Sequence, residues 1–147
     1  MRENCLLLTS MTKIRTYSEL CCHETFEERY RYLRIPGTIG HSTFGFDRAL
    51  NQRFYHSNEW KRIRSLVISR DNGCDLGVPG YEIYANLLIH HMNPLSIDDI
   101  RHGGELMLDA EFLITTSLQT HNAIHYGDET LLPRGPVKRK RGDTTLW

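Results

Sequence analysis

Four histidines carry the chemistry of this chain. His121 and His125 lie four residues apart in LQTHNAIHY, and the adjacent His90 and His91 close the apolar run Leu87-Leu88-Ile89. Residues at i and i+4 of a helix share one face about a turn apart, so both rings of the first pair can close on a single ion. That spacing alone is more often packing or surface than metal, and the second pair is what raises it. Successive strand residues point to opposite sides, so His90 and His91 do not both ligate one ion unless the strand end is twisted. A division of labour follows. One imidazole of the pair completes the metal site, and the other stands beside it as a proton acceptor, because histidine titrates nearest the working pH.

The other histidines, His23, His41, His56 and His102, have no partner at ligand spacing and read as surface or packing residues. His102, beside Gly103-Gly104 in a loop, is the one best placed to approach a substrate. Asn122 reads as a helix-surface amide, and Trp60 and Phe26 as core.

These side chains need a strand and a helix to hold them. Ser117 predicts an N-cap for a helix from Leu118 to about Tyr126, with Gly127 at its end. The segment from Gly73 to His91 reads as a hairpin or bent pair of strands that finishes at Asn93-Pro94, since proline cannot donate to a ladder. Ser96 and Asp99 cap a short helical turn through Arg101. Upstream, TFEERYRYL (Thr25 to Leu33) has a capping threonine, early glutamates and Phe26, Tyr30 and Leu33 at helical spacing. Pro36, Gly37, Gly40 and Gly45 form a loop before a second short helix over Phe46 to Tyr55. Ser57 caps a third helix from Asn58 to about Arg70, with Trp60, Ile63, Leu66 and Val67 apolar, stopped by Asn72-Gly73. Repeats and low-complexity tracts are absent from the sequence.

Composition bounds the rest. With 147 residues and zero formal net charge the chain suits one compact core, and it has no apolar run long enough to span a membrane. The run Cys5 to Leu8 is too short for a signal-peptide core. Cys5, Cys21, Cys22 and Cys74 lack the spacing of a disulfide framework and read as reduced thiols of a cytoplasmic protein. Positive charge is local: Lys61, Arg62, Arg64 and Arg70 form one stretch, and Arg134, Lys138, Arg139, Lys140 and Arg141 a second in a tail. Each stretch taken alone is at least as well explained as solvated surface.

LLIHHMNP (Leu87 to Pro94) and LITTSLQTHNAIHYG (Leu113 to Gly127) resemble the two halves of the HNH nuclease motif, in the colicin-like variant with a doubled histidine and an H-x-x-x-H helix. The wider context, including TFGFDRALNQRFY, EWKRIRSLVISRDNGCDLG and GDTTLW, is similar to small HNH proteins of bacteriophages and prophages from Lys13 onward. The resemblance implies an α+β fold with a ββα-metal (His-Me finger) core at 57–130. A helical accessory segment at 13–56, a leader at 1–12 and a basic tail at 131–147 complete the expected organisation. It also implies a metal-dependent DNA endonuclease in a bacterial host cytoplasm, with His91 as general base and His90, His121 and, optionally, His125 as ligands of one divalent ion. Zinc, nickel, manganese and magnesium are the ions considered, and an all-histidine shell favours the softer ones.

DNA is the expected partner, with Lys61, Arg62, Lys138, Arg139, Lys140 and Arg141 as phosphate contacts. Phage DNA-packaging proteins and a second copy of the chain are further partners consistent with the resemblance. Two departures stand out. The asparagine that pins the loop in HNH proteins, nine positions before the helix ligand, is replaced by Phe112, leaving Asn93, Glu111 or the packing of Phe112 to hold the loop. A four-cysteine zinc site is also missing, so Cys74 reads as a small packing residue. Phe112 is the feature that favours the alternative, a catalytically weakened scaffold that binds DNA or assists its packaging.

Overall fold

The computed structural model describes residues 13–35 and 48–132. The expected leader, the Pro/Gly loop, the start of the second helix at Phe46, His41 and the basic tail from residue 133 onward lie outside the described residues.

Side-chain caps define the helices. Helix α1 is Tyr17–Leu20, a short turn that periodicity does not reveal, and α2 is Phe26–Leu33 with a complete Thr25/Glu28 capping box. Tyr30 and Leu33 of α2 are buried, whereas Phe26 is 45% exposed, so its expected place in the core is corrected. It stands in the first turn of α2, where the spacing is helical but the ring is left partly uncovered by the described residues. Helix α3 is Arg48–His56, and α4 is Asn58–Arg70, capped by Ser57 and burying Trp60 and Val67. Leu66 points to solvent.

Strand β1 (Cys74–Asp75) pairs with β2 (Tyr81–Glu82) in a small hairpin of its own. Strand β3 (Leu88–His91) pairs antiparallel with β4 (Leu113–Thr116), in the register His90↔Ile114 and His91↔Leu113. The partner of the histidine strand thus comes from beyond a long loop and not from the segment before it. That loop carries α5 (Ile97–His102), with the expected Ser96/Asp99 capping box, and α6 (Glu105–Leu108). Helix α7 (Leu118–Tyr126) follows β4 directly, capped by Ser117 and ended by Gly127 at φ 65°, a left-handed position that glycine adopts without cost.

The β3–β4 pair is covered on both faces. Leu113 packs with Trp60 and Val67 of α4, joined by Ile89. Met92 and Ile114 pack with Ile124 of α7 and with Leu20 and Leu33 from the N-terminal helices. Every residue of β4 is consequently buried, and the alternating pattern that marks a half-exposed strand is absent from it. The result is an α+β arrangement of helices around small two-stranded sheets. No helix among the described residues is long and apolar enough to cross a membrane.

Candidate metal centre

The two-residue period of β3 separates its two histidines. His90 faces α7, and its ring centroid lies 5.4 Å from that of His121 and 5.1 Å from that of His125. His91 faces α4 and stacks on the indole of Trp60, with centroids 5.3 Å apart and planes 15° apart. The helical pair behaves as its spacing predicts, with His121 and His125 centroids 4.3 Å apart. One nitrogen from each of His90, His121 and His125 falls within 4.8 Å of the other two, a group that can hold a metal ion.

The donor set fits a cation. His90 Nε2 and His121 Nδ1 are buried without a hydrogen-bond partner among the described residues, and an unsatisfied buried polar atom costs on the order of 1–3 kcal/mol. Burial pushes the His90 ring well below its ordinary value, with His125 and His121 adding to the effect. Burial also lowers His121, and it lowers His125 to about 4 with a contribution from His121. All three are therefore neutral imidazoles near pH 7, the form that ligates transition ions.

His91 is prepared differently. Its Nε2 lies 3.2 Å from the carbonyl oxygen of Met107. A carbonyl only accepts, so Nε2 carries the proton and Nδ1 the lone pair of the neutral ring. Burial holds this ring at about 4, opposed by the Met107 carbonyl. His90, His91, His121 and His125 all line one cavity of about 420 Å³.

Buried carboxylates outside the cluster hold these elements in place. Asp75 accepts hydrogen bonds from Gly77 N at 2.9 Å, Ser117 N at 3.0 Å and Thr120 Oγ1 at 2.5 Å, fixing the first turn of α7. Gly77 permits this approach, because a Cβ there would lie 2.4 Å from Thr120 Cγ2. Asp71 accepts from Thr115 N at 2.8 Å and from the Arg70 guanidinium. Arg70 also donates to the carbonyls of Ala110 and Leu113 and lies 3.6 Å from the Tyr17 ring centroid.

Arg70 thus pins the end of the long loop, and the groups expected to do so are used elsewhere. Asn93 clamps the backbone of Arg15 through both ends of its amide, and Glu111 accepts from Ser18 N, so both tie down the N-terminal segment. Phe112 is half-buried, and its carbonyl accepts from Met92 N at 3.0 Å, extending the ladder by one bond.

Lys61 and Arg62 are exposed on α4, while Arg64 of the same helix lines the cavity. Lys138, Arg139, Lys140 and Arg141 lie outside the described residues. His23 packs against Tyr32, His56 is exposed, and His102 donates from Nδ1 to the Asp98 carbonyl; none of the three joins the cluster. Sequence reasoning places Arg64 only within a basic stretch and does not single out Asp75 or the Trp60–His91 stack. The Asp-x-Gly turn at Asp75 and the i, i+4 spacing of Trp60 and Arg64 are the signals that point to them. The chain matches no known protein family, no curated protein and no solved structure.

Proposed function

We propose that this chain is a metal-dependent DNA endonuclease of the HNH class that hydrolyses phosphodiester bonds to 5′-phosphate and 3′-hydroxyl ends. The observation that carries the reading is the convergence of His90, His121 and His125 with His91 next along the strand on the opposite face. The order β3, β4, α7 is consistent with a ββα-metal core, in which His90, His121 and His125 would hold one divalent ion between the β3–β4 pair and α7.

Bound there, such an ion would supply Lewis-acid stabilisation of charge on the phosphoryl group and the departing oxygen. The remaining chemistry belongs to the chain. His91 Nδ1 takes a proton from the attacking water as the new P–O bond forms and the bond to the 3′ oxygen breaks, and the departing 3′ oxygen takes a proton from solvent water to give the 3′-hydroxyl end. The Met107 carbonyl fixes the ring's tautomer and faces its positive edge once it is protonated. The Trp60 face stacked on the ring favours the same cationic state. Arg64 at the cavity wall contributes positive charge for a phosphate. Phage origin and action beside DNA-packaging proteins belong to the same reading.

The test is plasmid relaxation by protein stripped with chelator and reloaded with manganese, nickel, zinc or magnesium. Metal-restored nicking supports the reading. Folded, metal-loaded protein that leaves both the plasmid and single-stranded DNA intact favours the non-cutting scaffold.

A further inference from the structure

The cavity beside the histidines is larger and more apolar than a phosphodiester requires. It encloses about 420 Å³, and beyond the histidines its wall includes Tyr55, Trp60, Leu88, Ile89 and Leu95. Among its described lining residues Arg64 is the single Lys or Arg, and neither Asp nor Glu is present. Tyr55 is 43% exposed, and its ring stands at 80° to that of Trp60 with centroids 5.2 Å apart, forming an aromatic corner.

A paired duplex offers little to such a wall. Its phosphates face outward and its base faces stack on one another, so a backbone lying over the histidines leaves the apolar surface wet. A base turned out of the stack fills it, with one face on an aromatic ring and its phosphate within the field of Arg64.

We propose that this cavity receives one unstacked nucleobase beside the phosphodiester held at the histidines, which makes single-stranded or locally unpaired DNA the preferred substrate class. The inference rests on the nuclease reading for the position of the phosphate. Tyr55 is the wall residue that selects the strand, and it takes no part in bond breaking.

The experiment measures binding in chelator, where nothing is cut, by fluorescence anisotropy. The probes are a short oligothymidylate, an abasic strand of equal length and charge, and a paired duplex. Wild-type protein binds the base-bearing strand about tenfold more tightly than the abasic one, the scale of a single base–aromatic stack. Tyr55→Ala reduces the preference to less than about twofold, and Tyr55→Phe, which keeps the ring, retains it. Equal affinity for the two strands in the wild type overturns the proposal, as does full preference in a folded Tyr55→Ala. If Tyr55→Ala does not fold, the wild-type comparison decides. No base preference with metal-dependent plasmid cutting removes the subsite and leaves the nuclease, whereas base preference with neither plasmid nor single-stranded DNA cut on metal reloading does the reverse.

Discussion

The indole of Trp60 lies nearly parallel to the imidazole of His91, with their planes 15° apart and their centroids 5.3 Å apart. One residue earlier on the same strand, His90 turns to the opposite side and meets His121 and His125. The pleat of a single strand thereby gives two adjacent histidines different surroundings, which the proposed mechanism uses as ligand and base.

The stack yields the first prediction. A ring face that favours imidazolium contributes about 0.5–2 kcal/mol to the protonated state of His91. Trp60→Leu keeps an apolar side chain there and should lower kcat about 2- to 30-fold. Metal affinity should stay within about twofold, because Trp60 stacks on His91, which faces away from the three ligands proposed. Steady-state kinetics and calorimetry on the same variant check both halves.

Loss of a ligand acts the other way. His121→Ala leaves two imidazoles at the centre and should weaken zinc or nickel binding at least about tenfold by titration calorimetry. His23→Ala, at a histidine outside the cluster, should leave metal affinity unchanged. Equal binding by His121→Ala and wild type would remove His121 from the ligand set.

Acid should destabilise the metal-free protein through these same rings. In the unfolded chain a histidine titrates near 6.5, whereas His91 and His125 in the fold titrate at about 4. Between those values the unfolded state takes up protons that the folded state refuses, so stability is greatest above pH 7 and falls as pH drops from about 6.5 to about 4. His91 alone accounts for about 3 kcal/mol of this loss. Urea unfolding across that range in chelator measures it, and His91→Phe should flatten the profile.

Asp75 is the structural residue whose loss should matter most to the centre. Asp75→Ala removes the acceptor for the amides of Gly77 and Ser117 and for the Thr120 hydroxyl. The expected cost is about 3 kcal/mol by urea unfolding, with weaker metal binding because the first turn of α7 loses its anchor.

Many of the helices are legible in the amino-acid sequence. Capping residues place α2, α4, α5 and α7 to within a residue or so, because Thr25, Ser57, Ser96 and Ser117 act within their own first turns. The i, i+4 spacing of His121 and His125 likewise puts both rings on one face of α7. The strand at Leu113–Thr116 is not legible, since burial on both faces erases the alternation by which a strand is recognised. Neither is the inward turn of Arg70, which sits in a basic stretch like its exposed neighbours yet finds its carbonyl partners 40 and 43 residues away. Local pattern encodes caps and faces, whereas a half-buried, inward-turned charge is defined by partners that only the fold brings near.

The most direct test of the account compares wild type with His91→Ala in relaxation of supercoiled plasmid, at metal occupancy shown to be equal by calorimetry. A positioned general base contributes roughly 10²- to 10⁴-fold, so His91→Ala should bind the ion as wild type does and cut at least about a hundredfold more slowly. Undiminished cutting by a folded, metal-loaded His91→Ala would contradict it.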